Sequence, residues 1–197
     1  MKRLFDILFS FCAIILLIPV FIIIGIWIIL DSRGGIFYSQ IRVGRNNRDF
    51  RLYKFRTMYT DSDKQGLITI GDNDSRITKA GRIIRKYKID ELPQLLNILV
   101  GDMSFVGPRP EVRKYVNMYN AEQLHVLDVR PGLTDAASIK YRNENQILAQ
   151  QTNPDQYYIN VIMPDKLNIN LQYVHTHTLC SDLRLVLLTA KTVFFDK

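Results

Sequence analysis

From Ile7 to Leu30 every position is uncharged and most are Ile, Leu, Phe or Val. A run that is apolar on all faces predicts a membrane helix rather than the one-sided helix of a soluble core. At about 1.5 Å per residue it reaches roughly 36 Å, enough to cross a bilayer core. It is too long for the apolar part of a secretion signal, and no small-residue cleavage site follows; Asp31-Ser32-Arg33-Gly34 comes next. Pro19 interrupts the run, removes one helical hydrogen bond and favours a kink. Lys2 and Arg3 precede it, and Arg33, Arg42 and Arg45 follow it. A straight span would leave one basic flank outside, against the positive-inside tendency. A helix that turns back at Pro19 keeps both flanks on one side; a kinked span is the alternative.

Beyond the run the periodicity changes. Ile36–Val43 and Phe50–Met58 read as two strands joined by the turn Gly44-Arg45-Asn46-Asn47. Thr60 to Ser75 is polar and reads as a loop. Ile77, Ala80, Ile84 and Tyr87 follow helical spacing, with Thr78 near the start. Pro93 opens a further helix with Leu95, Leu96 and Leu99 on its inner face, and Gly101 ends it. Gly107-Pro108-Arg109-Pro110 forms a stiff loop, and Val112, Tyr115, Val116 and Tyr119 mark another helix. Arg130-Pro131-Gly132 is a turn. The middle of the C-terminal half carries no decisive period. Leu183, Val186, Leu187, Ala190 and Phe194 suggest a final helix whose other face holds Leu185, Leu188 and Phe195. That helix suits either a buried position or a membrane surface. No internal repeat or low-complexity tract is present.

The net charge of +7 favours anionic partners: phosphates, anionic lipid or nucleic acid. The charge is uneven. Arg33 to Arg56 holds seven basic residues against Asp49, and Arg76 to Lys88 holds six with no acid. Few aromatics interleave with these residues, which argues against RNA. Cys12 lies in the apolar run, so a pairing with Cys180 is not expected, in keeping with a reducing compartment.

Asp90-Glu91-Leu92-Pro93 is the sharpest chemical feature. Neighbours on a helix point about 100° apart, so one carboxylate can face a substrate while the other binds a metal or moves a proton. The helix start suits a bound phosphate, and a carboxylate can attack phosphorus to give an acyl-phosphate. Simple N-capping by Asp90 is the alternative. Arg82 and Arg85 share a face that suits a diphosphate, or a solvated or headgroup-facing surface. Mg²⁺ commonly joins carboxylates to phosphates. Arg109, held between prolines, suits phosphate or a planar base, or serves a structural turn. His175 and His177 lack a third metal ligand. No phosphate loop, dinucleotide fingerprint or nucleophile elbow is present.

In these residues the chain resembles the small monotopic phosphoglycosyl transferases of bacteria. The resemblance is carried by Lys2-Arg3-Leu4-Phe5-Asp6, by Phe37-Tyr38-Ser39-Gln40-Ile41-Arg42-Val43-Gly44, and by Tyr53-Lys54-Phe55-Arg56-Thr57-Met58. It continues in Asp90-Glu91-Leu92-Pro93-Gln94-Leu95-Leu96-Asn97 and in Gly101-Asp102-Met103-Ser104-Phe105-Val106-Gly107-Pro108-Arg109-Pro110-Glu111, and closes with Arg130-Pro131-Gly132-Leu133-Thr134.

The resemblance implies an α+β chain. Residues 1–31 would form a re-entrant membrane helix broken near Pro19. Residues 32–197 would form a mostly helical catalytic domain with a small β-hairpin, on the cytoplasmic face of the bacterial inner membrane. It implies transfer of a sugar 1-phosphate from a UDP-sugar to polyprenyl (undecaprenyl) phosphate, with Mg²⁺ and release of UMP, at the start of glycan assembly. Asp90 would carry the covalent phospho-sugar. Glu91 would help place the metal, with Asp90 and Glu91 as its ligands. Lys54, Arg56, Arg85, Pro108, Arg109, Pro110, Arg142 and Asp182 would bind substrate. Membrane lipid is an expected partner, nucleic acid is not, and a homodimer is compatible with the pattern. A glycosyl transferase releasing UDP, or a module that only binds anionic lipid or RNA, are the rival readings. Two departures stand out. Asp135 to Glu144 replaces the family's usual Gly, Gln and short apolar run, leaving the sugar open. Ile18 replaces the usual Ser before the proline.

Overall fold

A computed structural model describes residues 2–62 and 74–194. Helix α1 (Lys2–Asp31) is the one described helix apolar and long enough to cross a membrane. It stays helical through Pro19, so the expected break near that residue is not seen as a gap. Asp6, Ser10, Ile24, Gly25 and Ile28 are buried. Ala13, Ile14 and Leu17 pack on Leu52, Leu95, Ile98 and Met103, while Phe21 packs with Phe55. These positions recur every three or four residues, so one stripe faces the rest of the chain. The other faces expose Leu4, Leu8, Leu16, Ile23 and Leu30, among others.

Both ends of α1 are tied to the same body. The Lys2 ammonium donates to the Val106 carbonyl at 2.9 Å and pairs with Asp182. Arg3 donates to the carbonyls of Ile98 and Leu99, and Asp6 accepts from the Ser104 hydroxyl and the Phe105 amide. At the far end Asp31 accepts the Ala80 amide at 3.0 Å. Arg56, 6% exposed, donates to the carbonyls of Ser32, at 2.8 Å, and Arg33. A guanidinium there meets the carbonyls left unpaired at a helix C-terminus.

Strands β1 (Phe37–Val43) and β2 (Asp49–Phe55) form the expected antiparallel hairpin, with Tyr38 opposite Lys54. Its turn is a 3₁₀ segment, Arg45–Asn47, in which Asn46 and Asn47 take positive φ of 56° and 60°, a conformation asparagine tolerates. Residues 63–73 of the expected loop lie outside the described residues. Helix α2 (Lys79–Lys86) starts where expected, with the Thr78 hydroxyl accepting the Gly81 amide at 3.0 Å. Helix α3 (Gln94–Val100) follows Pro93 and ends at Gly101, φ 103°. Its inner face is Leu95, Asn97 and Ile98, whereas Leu96 is exposed. Buried Asn97 welds α3 to β2, accepting the Tyr53 amide and donating to the Arg51 carbonyl.

Strand β3 (Ser104–Val106) pairs in parallel with β4 (Gly132–Thr134), a second small sheet the sequence pattern did not foretell. Between them lies α4 (Arg113–Val116), shorter than the spacing to Tyr119 suggested, and a 3₁₀ segment, Gln123–Asp128. A Cβ at Gly132 would overlap the Gly107 backbone, so the two chains cross as closely as bare backbone allows. Helices α5 (Ala136–Lys140), α6 (Glu144–Ala149) and α7 (Pro154–Tyr157) lead through a π-turn, Tyr158–Ile162, into α8 (Met163–Thr176). Val112, Tyr115, Leu148, Ile162 and Leu167 make their core. Helix α9 (Leu179–Phe194) buries Asp182 but exposes Leu183, Leu187 and Leu188. Leucines on both of the faces marked in the sequence are thus exposed, and Phe195 lies outside the described residues.

Candidate active site

Lys88 takes a left-handed φ of 57°, turning the chain from α2 into the 3₁₀ segment Ile89–Glu91. That turn sets both carboxylates inward: Asp90 is 6% exposed and Glu91 8%. They meet opposite fates. Glu91 is gripped by Arg109, whose Nη1 donates to Oε2 at 3.2 Å and whose Nη2 donates to Oε1, while Lys54 reaches Oε1 at 3.4 Å. Asp90 keeps a buried Oδ1 that has no hydrogen-bond partner.

The electrostatics follow. Burial alone would raise the Glu91 carboxyl, but Arg109 and Lys54 outweigh it and hold it far below the usual carboxylate range. Burial raises the Asp90 carboxyl, with Glu91 adding to the rise and Lys54, Arg85 and Lys88 opposing it. Burial also lowers the Lys54 ammonium, against the pull of both acids. Glu91 is thus a fixed anion in an ion-pair cluster, and Asp90 an acid of tunable charge.

The loop that presents Arg109 is pinned from two sides. Arg42 on β1 donates to the Pro110 carbonyl at 3.1 Å and to Glu111 at 3.0 Å. Asp135 accepts the Arg109 amide through one oxygen and the Ser138 amide, the start of α5, through the other. Neither Arg42 nor Asp135 was singled out as a functional residue. Their signal is a buried charge beside a rigid loop, which only the fold reveals.

A cavity of about 480 Å³ opens onto Asp90, lined by Lys54, Arg85 and Arg76 and by Phe37, Tyr38 and Tyr59. A smaller one, about 180 Å³, lies behind the Pro108–Pro110 loop, and Arg42 borders both. In the smaller cavity Arg42 is paired with Glu111 and Lys166 with Glu144. Its charges are therefore matched, whereas the larger cavity is cationic.

The structure brings Asp90, Glu91, Lys54, Arg85 and Arg109 together, with buried Pro108 and Pro110 holding Arg109. Three expected substrate contacts sit elsewhere or are engaged. Arg56 borders the larger cavity but caps α1. Asp182 pairs with Lys2 and accepts from the Tyr173 hydroxyl. Arg142 is exposed between α5 and α6 and borders neither cavity.

A Mg²⁺ ion usually takes one or two carboxylates plus substrate phosphates, rather than a full protein cage. Among the described residues no cluster of three or more metal-ligating side chains exists. The unpartnered Asp90 oxygen beside a cationic cavity fits the lighter arrangement. Glu91 fits less well, because both its oxygens are already engaged.

The site thus combines a buried carboxylate pair, of which Asp90 lines a cationic cavity, with an apolar helix long enough to cross a membrane. The chain belongs to the bacterial sugar transferase family, whose model matches residues 1–196. It is 36% identical to the uncharacterized sugar transferase EpsL of Bacillus subtilis, over 100% of this chain and 89% of that protein. It is 44% identical to the UDP-N-acetylgalactosamine-undecaprenyl-phosphate N-acetylgalactosaminephosphotransferase of Aeromonas hydrophila, over 70% of this chain but 33% of that protein. Against the UDP-glucose:undecaprenyl-phosphate glucose-1-phosphate transferase of Klebsiella pneumoniae, identity is 32% over 100% of this chain and 40% of that protein. The chain thus spans well under half the length of those two transferases.

Proposed function

We propose that this chain transfers a sugar 1-phosphate from a UDP-sugar to polyprenyl phosphate at the inner face of the bacterial cytoplasmic membrane. The observation that carries the reading is the contrast within the pair: Glu91 is held by Arg109 and Lys54, while Asp90 keeps one buried, unpartnered oxygen and lines a cationic cavity.

In the first half-reaction a carboxylate oxygen of Asp90 attacks the sugar-bearing phosphorus of the donor. The new P–O bond to Asp90 forms, the bond to the UMP oxygen breaks, and UMP leaves with the electron pair. Lys54 and Arg85 stabilise the charge on the phosphates, a role suited to preorganised cations in a dry site. In the second, an oxygen of the lipid phosphate attacks the same phosphorus, and the Asp90 carboxylate is released unchanged. Asp90, with Glu91 beside it, would hold Mg²⁺ against the donor diphosphate, where the ion would supply charge neutralisation. The sugar's uncharged ring suits the smaller, charge-matched cavity.

The membrane arrangement rests on α1. Its two ends bond to one polar body through Lys2 and Asp31, which supports a helix that enters and leaves on the same side. Its exposed apolar faces would lie in lipid.

Nucleotide release tests the reading. The purified protein is mixed with Mg²⁺, polyprenyl phosphate and UDP-glucose, UDP-galactose or UDP-N-acetylgalactosamine. UMP is the expected product, lost by at least about 10³-fold in Asp90→Asn together with the covalent phospho-sugar. UDP instead of UMP would make the protein a glycosyl transferase and overturn the proposal.

A further inference from the structure

The larger cavity has one cationic side and one aromatic side. Phe37, at the start of β1, is 51% exposed and borders the cavity. Its ring stacks on Phe55 with centroids 5.5 Å apart, and Phe55 meets Phe21 of α1 at 5.1 Å. Three rings in sequence therefore lead from the apolar helix to the rim of the cavity that ends at Asp90. Four residues along the strand from Phe37, the same outer face of β1 exposes Ile41, 49%. Half-exposed apolar side chains beside a bilayer-facing helix, next to a phosphate-binding cavity, suit a ligand with an anionic head and a hydrocarbon body. A sugar nucleotide is polar throughout and gains little from Phe37.

We propose that Phe37 is the contact for the hydrocarbon chain of the lipid-phosphate acceptor, immediately beyond its phosphate. This rests on the two-step transfer proposed above and assigns Phe37 to its second step alone. There the lipid phosphate oxygen attacks phosphorus, the P–O–P link forms, and the bond to Asp90 breaks. Lys54 and Arg85 serve the phosphates of both substrates in turn, as one shared site requires, while Phe37 sees only the lipid.

The two half-reactions are measured separately on the full chain in lipid nanodiscs. The UMP burst with the UDP-sugar that wild type accepts reads the first step. The chase of the phospho-sugar by undecaprenyl phosphate reads the second. Phe37→Ala should keep the burst within about twofold and slow the chase at limiting lipid by about tenfold, about 1.4 kcal/mol of transition-state binding. Phe37→Leu, which keeps the apolar bulk, should recover most of the chase. A burst lowered as much as the chase would show that Phe37 supports the site or the donor, and an unchanged chase would show that it does not touch the lipid; either overturns the assignment. A wild-type protein that gives no UMP burst would overturn the two-step reading itself.

Discussion

Arg109 and Glu91 face each other as a fork and a carboxylate, with Nη1 donating to Oε2 at 3.2 Å and Nη2 to Oε1. The fork comes from a loop between two buried prolines and the carboxylate from a short 3₁₀ turn, so two rigid pieces of backbone fix the distance between them. The pair holds Glu91 charged, directs it away from the cavity, and leaves Asp90 as the carboxylate open to substrate.

Arg109→Lys tests that geometry. A lysine presents one ammonium and cannot serve both oxygens. UMP release should fall by about 10–100-fold, the scale of a lost bidentate contact in a preorganised site. Wild-type rates in this variant would mean that charge alone suffices and the fork is incidental.

The pH dependence follows from Asp90. Its carboxyl is raised by burial, and attack requires the ionised form. The rate of the UMP burst should therefore climb with pH through a limb lying above the ordinary aspartate value of 3.8. Arg85 opposes the rise, so Arg85→Gln should move the limb to higher pH as well as weaken donor binding. A limb that stays in place, or moves to lower pH, would remove Arg85 from the electrostatics of Asp90.

Arg56 separates a structural role from a catalytic one. Its guanidinium donates to the carbonyls at the end of α1 and lies buried. Arg56→Gln should lower stability by about 1–3 kcal/mol, the scale of charge-assisted bonds lost in a buried setting. Thermal unfolding in detergent would show it, with the UMP burst of the folded fraction close to wild type at low temperature. Full stability with lost activity would return Arg56 to the substrate.

The topology of α1 is open to a protection experiment. With both ends on one side, epitope tags placed at the N-terminus and at the C-terminus should both resist protease in intact spheroplasts. Both should be cleaved in inverted membrane vesicles. Cleavage of the N-terminal tag alone in spheroplasts would establish a spanning helix.

Much of this arrangement was legible in the residues, and the parts that were not have physical reasons. The hairpin, the Thr78 cap, the helix after Pro93 and its end at Gly101 rest on local signals: alternation, a side-chain acceptor and a residue free to take positive φ. The pairing of β3 with β4 had no such signal, because three-residue strands are too short for a period and their partners are distant in sequence. The inner face of α3 differs from the expected one for another reason. Leu96 on α3 is exposed, as is Leu187 on α9, and an exposed leucine is common enough on a protein surface that apolar character alone does not mark the inside. Asp90 and Glu91 stood out as a pair, but which one is gripped depends on Arg109, eighteen residues beyond Glu91. Arg56, Arg142 and Asp182 carried charges that the sequence alone had no means to assign to a helix end, a surface turn or a clamp on Lys2.

The π-turn at Tyr158–Ile162 sets the rotational phase of everything after it. Such a turn holds one residue more than a regular helix would. Deleting a single residue there would rewind the segment and swing α8 by about 100°. Tyr173 would then leave Lys2 and Asp182, and the start of α1 would lose its mooring. A one-residue change that an exposed loop absorbs without consequence would here be felt more than a hundred residues away, at the first turn of the apolar helix.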